Sequence, residues 1–142
     1  MLDHVYVSVS DPERAYAFYI AALAPLGWRE LLKYDASAAP EHVPDLWGLT
    51  DASRENPDAI STSIWLRQRT EGETGLYLGI AADSEAEVDA AYAAALASSG
   101  RDDGPPATRL HFGDGYYAAN VVDLDDNRLE FVHKVWNPKK PS

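Results

Sequence analysis

The chain opens on a strict alternation of apolar and polar positions. Val5, Val7 and Val9 alternate with His4, Tyr6 and Ser8, the period-two pattern of a strand with one buried face. Ser10-Asp11-Pro12 follows, with good N-cap residues and a proline placed where its missing N–H is harmless. Then the period changes: Ala15, Phe18, Tyr19, Ala22 and Leu23 form the apolar stripe of a helix that closes near Gly27. The same succession returns further on. Leu78, Ile80 and Ala82 alternate with Tyr77, Gly79 and Ala81. Asp83-Ser84 can cap a second helix with a Val88, Ala91, Tyr92, Ala95, Leu96 stripe, ending near Gly100.

Residues 4–27 superimpose on residues 77–100 without a gap. Seven positions are identical: Ala17/Ala90, Tyr19/Tyr92, Ala21/Ala94, Ala22/Ala95, Leu23/Leu96, Ala24/Ala97 and Gly27/Gly100. Alanine is abundant here, so the matched order of features is stronger evidence than the identities. Repetition of a whole supersecondary unit determines the architecture.

Strand-like segments follow each helix. Trp28–Tyr34 and Ser61–Gln68 are predicted strands in the first half. Between them a long Ala/Pro/Asp/Asn-rich loop, Ala36–Pro57, is expected to hold a short strand near Asp45–Leu49. In the second half Gly104-Pro105-Pro106 is expected to break the chain. Tyr116–Asp123 and Arg128–Lys134 should form a hairpin across the turn Asp125-Asp126-Asn127. The Pro/Lys-rich tail Asn137–Ser142 is expected to be loose. The reading is α+β: one domain, 1–142, made of two β-α-β-β-β modules, about 1–70 and 74–136. They should form a curved mixed sheet around a cavity, with the helices outside.

Alternation then sorts the side chains. Val5, Val7, Val9, Leu78, Ile80, Ala82, Leu129 and Phe131 should lie under the helices. His4, Tyr6, Ser8, Tyr77, Arg128 and Glu130 should occupy the opposite, concave face. On these residues the chain resembles a known family. The opening DHVYVSVSDPERAYAFYIAALAPLG and the closing GRDDGPPATRLHFGDGYYAANVVDLDDNRLEFVHK resemble the two ends of the vicinal-oxygen-chelate superfamily. This is the glyoxalase, bleomycin-resistance and extradiol dioxygenase group, and its small single-domain glyoxalase-like branch is the most similar.

The resemblance implies a divalent metal held by His and Glu side chains, with His4 at the first ligand position and Glu130 at the last. Two departures bear on that expectation. Tyr77 stands where the second module usually supplies a His, and Tyr77 is also the repeat partner of His4. The fourth position falls near Trp65, which cannot ligate. His4 and Glu130 therefore supply two ligands, fewer than the three protein ligands usual in a catalytic zinc site. A neutral phenol is a poor ligand for Zn²⁺, Ni²⁺ or Mg²⁺, since its pKa of about 10 leaves it protonated. His111, beside Gly113, is a further candidate. His133 should face away from Glu130, and His42 lies in the long loop. Without metal, His4 is expected to hydrogen-bond Glu130 or water.

Composition narrows the functional classes. With 23 acidic and 12 basic residues the net charge is −11, which disfavours nucleic acid and anionic membrane surfaces as partners. Zero Cys excludes disulfides, thiolate metal sites and cysteine nucleophiles. No apolar run reaches the ~20 residues of a membrane span, and a cytoplasmic location is expected.

Two readings follow. One is a protein that binds a small organic molecule in a concave cavity, lined from Tyr6, Trp47, Trp65, Tyr77, His111 and Tyr117, with an incomplete metal site. Its cofactor would be none, or a weakly bound divalent metal among Zn, Ni, Fe and Mn. The other is an enzyme: either a metal-dependent lyase, isomerase or dioxygenase in which Glu130 moves a proton, or one without metal in which Tyr77 serves as a general acid beside His4. A self-contained cavity, with a homodimer through other surfaces, is compatible with both.

Overall fold

The two amphipathic patterns become two copies of one unit. The computed structural model describes residues 2–38, 44–56, 61–73, 75–112 and 114–134. Module one runs β1 (His4–Val9), α1 (Pro12–Leu23), β2 (Arg29–Tyr34), β3 (Leu46–Thr50) and β4 (Ser63–Gln68). Module two runs β5 (Tyr77–Ala81), α2 (Glu85–Ala97), β6 (Arg101–Thr108), β7 (Tyr117–Val122) and β8 (Arg128–His133). The strand orders are identical in the two modules, β1-β4-β3-β2 and β5-β8-β7-β6, each with one parallel pair at the first strand. The strands are hydrogen-bonded as two four-stranded sheets, not one continuous sheet, and β1 and β5 stand at their edges. His42, Gly113 and the Asn137–Ser142 tail lie outside the described residues.

Local chemistry explains the helix ends. Asp11 caps α1 by accepting from the Arg14 amide, with Pro12 in the first turn. Ser84 caps α2 by accepting from the Glu87 amide, while Glu87 reaches back to the Asp83 amide at 2.6 Å. The two terminal glycines do different work. Gly27, at φ +85°, is a left-handed stop after a 3-10 turn, Ala24–Leu26. In module two Ser99 takes the positive φ, at 74°. Gly100 is needed for space: a Cβ there would stand 2.8 Å from the Ala95 carbonyl oxygen and 2.9 Å from Cε2 of Phe18. Phe18 belongs to α1, so Gly100 lets the two modules meet.

The proline pair does not end the chain's pairing. Pro105 and Pro106 lie inside β6, between the register pairs Gly104–Asn120 and Ala107–Ala118, where the ladder shifts. β6 is an edge strand, so neither proline removes a hydrogen bond that a second neighbour would need.

The core is one cluster spanning both modules. Val7, Val9, Phe18, Tyr19, Leu23, Leu49, Ile64 and Leu66 meet Ile80, Val88, Val121, Leu129 and Phe131. At ~1.5–3 kcal/mol per large side chain fully buried, this cluster is the dominant favourable contribution. It is not the only link. The β7–β8 turn is buried and polar: Asp123, Asp125 and Asn127 are 2%, 7% and 1% exposed. Asp123 accepts from the Tyr19 hydroxyl (2.7 Å), the Asn127 side-chain amide (2.8 Å) and the amides of Asp125 and Asn127. Asp125 accepts from the Ser10 amide at 2.7 Å. Asn127 Oδ1 accepts from the Leu76 amide at 2.9 Å and from Arg69. The turn of module two is thereby bonded to the strand ends of module one.

Asn127→Ala should destabilise by roughly 2–4 kcal/mol, because it leaves the Leu76 amide and one Asp123 oxygen buried with a partner missing. Asp126 stands in the same turn but is exposed, with φ +64°. Asp126→Gly should stay within about 1 kcal/mol of wild type, since glycine removes the left-handed strain while the ion pair to Arg101 is lost. Urea denaturation of both variants measures the contrast. Equal losses would mean that the turn acts through its backbone shape alone.

Candidate functional site

Register decides which residues share a face. In module two Gly79 pairs with Glu130, and Glu130 with Asn120, so all three lie in one row on the face away from α2. Glu130 is buried there and is met by three donors. Tyr77 donates its hydroxyl to Oε1 at 2.8 Å, Tyr116 donates to Oε2 at 2.5 Å, and the Arg109 guanidinium donates to Oε1 at 3.3 Å. The Asn120 side chain donates to the Tyr77 hydroxyl at 2.9 Å, which orients the phenol toward the carboxylate. Arg109 and Glu130 side chains are 17% and 10% exposed, so the pair is largely desolvated. Arg109 and Tyr116 flank the β6–β7 turn and are tied by an Arg109 N–H to Tyr116 carbonyl bond of 2.7 Å.

Both phenols are held in their neutral form. Burial, then the hydrogen bond to Glu130 and its charge, push Tyr116 up to about 12. Tyr77 is raised as well, chiefly by burial; the Asn120 donor works against that and the Glu130 contact adds to it. Proton donors are therefore fixed on a carboxylate that has no free oxygen.

In module one the equivalent row is Tyr6, Trp65 and Gly48, paired across β1, β4 and β3. Tyr6 and Gly79 are repeat partners, so Trp65 occupies in module one the place of Glu130 in module two. His4 sits one pair further along this face. Its Nδ1 meets Asp3 at 2.6 Å and its ring tilts against Tyr6 at 5.5 Å, in place of the expected bond to Glu130. His4, Tyr6 and Trp65 line a cavity of about 340 Å³ on module one. A second cavity, of about 400 Å³, lies between the β1 and β5 edges and is lined by His4, Val5, Trp28, Ile64, Leu78 and Gly79 among others. Neither Tyr77 nor Glu130 lines either cavity.

The remaining candidates divide. Trp47 and Tyr117 face the helices: Trp47 Nε1 donates to Glu13 of α1 at 3.1 Å, and the Tyr117 hydroxyl donates to Asp89 of α2 at 2.6 Å. His111 is exposed in the β6–β7 turn, its ring tilted against Phe112 at 4.3 Å, and Phe112 in turn lies 5.2 Å from Tyr116. His133 contacts the Ala82 carbonyl oxygen through Nδ1. Arg109, Tyr116 and Asn120 were not singled out from the sequence. Asn120 was accessible through the β7–β8 hairpin register. Tyr116 opens the predicted strand Tyr116–Asp123 and shares the Asn120 face by alternation, whereas Arg109 lies outside the predicted strands, and only the need of a buried carboxylate for donors pointed toward it.

Residues 1–131 match the Glyoxalase/Bleomycin resistance protein/Dioxygenase superfamily. The chain belongs to this superfamily. A glyoxalase/bleomycin resistance protein from Albidiferax ferrireducens T118 has the same fold at 26% identity and TM-score 0.67, covering 95% of this chain and 99% of that one. TioX from Micromonospora sp. ML1 matches at 17% identity and TM-score 0.64, over 95% and 99%. A glyoxalase I mutant from Zea mays matches at 17% identity and TM-score 0.64; this chain, covered to 96%, spans 46% of it. No curated protein matches the chain by sequence.

The metal positions expected from the resemblance are His4, Tyr77, Glu130 and a fourth near Trp65. This donor set does not fit a metal ion. An indole offers no lone pair in its ring plane, the Tyr77 phenol is held protonated, and both Glu130 oxygens already accept hydrogen bonds. Among the described residues, no three His, Asp or Glu side chains are gathered closely enough to hold one.

The raised phenol of Tyr116 has a pH signature. Its contribution to stability is complete below the unfolded value of 10 and disappears as pH rises toward about 12. The stability advantage of wild type over Tyr116→Phe should therefore be constant to about pH 10 and then shrink. Denaturant midpoints of both proteins from pH 7 to 12 check this. An advantage that holds level to the top of that range would show that Tyr116 does not rest on Glu130 as a neutral donor.

Proposed function

We propose that this superfamily member holds a small organic molecule in a concave cavity without a catalytic metal. The observation that supports this reading best is the occupation of Glu130. A carboxylate that is to ligate a metal must turn a lone pair to the ion, whereas here Tyr77, Tyr116 and Arg109 occupy three of about four, with donors on both oxygens. Those donors also offset the cost of burying the charge, so the site is electrostatically closed with no cation added. The chain's acidic balance, −11, leaves nucleic acid an unfavourable partner. Among the described residues no helix is long and apolar enough to cross a membrane. A cytoplasmic location and a homodimer through other surfaces complete the reading; Leu110 and Phe112, 70% and 63% exposed, offer apolar area for such a contact.

A metal-dependent lyase, isomerase or dioxygenase is the rival. It requires Glu130 to exchange its three donors for a cation, and Tyr77 to lose a proton or give way. Elemental analysis of protein purified without chelators separates the two, together with calorimetric titration of Zn²⁺ and Ni²⁺. Wild type should carry far less than one equivalent and bind either ion weakly. Tyr77→His, which replaces a protonated phenol by an imidazole beside Glu130, should bind more tightly than wild type, with proton release. Stoichiometric, tightly held metal in wild type would overturn the metal-free reading and turn the search for a third ligand to His111.

A further inference from the structure

The concave face of module one is built around an exposed ring platform. A Cβ placed on Gly48 would lie 2.5 Å from Cζ3 of Trp65 and 2.8 Å from both flanking ring atoms, Cε3 and Cη2. Near-equal distances to three consecutive ring atoms arise only when the approach is over the face; an edge-on approach would leave the flanking atoms much farther away. One face of the indole therefore lies on bare glycine backbone. Its edge is committed too, since Trp65 Nε1 donates to Ser63 Oγ at 3.0 Å. The ring lines the 340 Å³ cavity together with Tyr6, Tyr34 and His4. That volume is at the small end of the ~300–1,000 Å³ range of ligand pockets. Tyr6 and Tyr34 are 51% and 38% exposed, so large aromatic area stands open here.

Asp3 is the carboxylate at the cavity's rim, exposed and hydrogen-bonded to Nδ1 of His4, which lines the cavity too; no Lys or Arg among the described residues lines it. Arg67, on the same face one pair beyond Trp65, is tied to Glu73. Aromatic faces carry negative quadrupole potential, and several of them beside a carboxylate favour a delocalised cation.

We infer that the Trp65–Tyr6–Tyr34 cavity of module one binds a planar aromatic cation, stacked on the Trp65 ring that Gly48 seats, with Asp3 as its counter-charge. This rests on the organic-ligand reading above and specifies its ligand class. It also assigns Gly48 a role in specificity: any side chain there lifts the indole into the volume that the ligand uses.

Proflavine, a planar tricyclic cation, and 9-anthracenecarboxylate, a planar anion of similar size, are suitable probes. Calorimetry in the presence of a chelator should show proflavine binding at least ~10-fold tighter than the anion, from the cation–π and charge terms together. Trp65→Leu should weaken proflavine ~10-fold or more, the scale of one lost stacking contact. Gly48→Ala should weaken it as well. Should Trp65→Leu not fold, Tyr6→Ala carries the same test from a half-exposed position. No proflavine binding with or without chelator, equal binding of the anion, or unchanged binding by a folded Trp65→Leu protein would each overturn the ring site. Binding that disappears in chelator and returns with Zn²⁺, yet still depends on Trp65, would support the ring site and overturn the metal-free reading instead.

Discussion

The constraint on which the rest depends is that a charged turn is buried where the two modules join. Asp123 has four donors, and one of them, the Tyr19 hydroxyl, comes from the helix of the other module. A buried carboxylate is tolerated only when its lone pairs are filled, so the position of α1 against β7 and β8 is specified to within hydrogen-bond length. Apolar contacts alone would not do this, because hydrophobic burial is non-directional. Tyr19 is fully buried and its ionisation is pushed well above normal by burial and by Asp123, which fixes it as a donor. The ends of β1 and β4 feed the same network through Ser8, Ser10 and Arg69. Their registration fixes where His4, Tyr6 and Trp65 stand relative to the second module.

Given that frame, the two concave faces are the same surface with different chemistry. The backbone places Trp65 and Glu130 at equivalent points, each opposite the first strand of its module. In module one the position holds an indole seated on Gly48, and the neighbouring residues are aromatic. In module two it holds a carboxylate, and the neighbours are donors. These two solutions differ in what they leave open. The indole has satisfied its only donor through Ser63 and presents a ring to the cavity. The carboxylate has given three of its roughly four lone-pair sites to Tyr77, Tyr116 and Arg109 and presents little. The first module thus leaves aromatic surface open, while the second satisfies its own charge internally.

The sequence revealed the repeat, the helix caps and the strand faces, because each of these is written in local periodicity. Val7, Val9, Ile80, Leu129 and Phe131 are buried as alternation requires. The prolines of β6 misled for a physical reason: Pro105 and Pro106 break an interior strand but not a bulged edge strand, and edge position is a property of topology. Trp47 and Tyr117 pointed to the cavity by size and polarity, yet each follows its strand's alternation to the helix side, where an acidic residue on the helix receives its N–H or O–H. The environment of Glu130 was only half legible. Tyr77 followed from the repeat and Tyr116 lay at the start of a predicted strand, whereas Arg109 arrives from a turn whose path no local pattern specified. The expected partner, His4, instead bonds its sequence neighbour Asp3, whose carboxylate reaches Nδ1 without any tertiary constraint.

The module-two cluster also explains why several departures from a metal site belong together physically. A divalent cation and three neutral or cationic donors are alternative ways of balancing one buried carboxylate, and they exclude one another. With Arg109 in place, a metal beside Glu130 would meet a guanidinium that is itself mostly buried, and the repulsion between them would be weakly screened. With Tyr77 donating, its hydroxyl oxygen is turned toward Glu130 by its own proton and held there by Asn120. With Trp65 at the opposite position, the first module contributes a ring where a ligand atom would be required. Restoring any one of these three leaves the other two opposing the ion. Metal affinity should therefore respond to combined changes far more than to the sum of single ones, as expected for groups that share one charge balance.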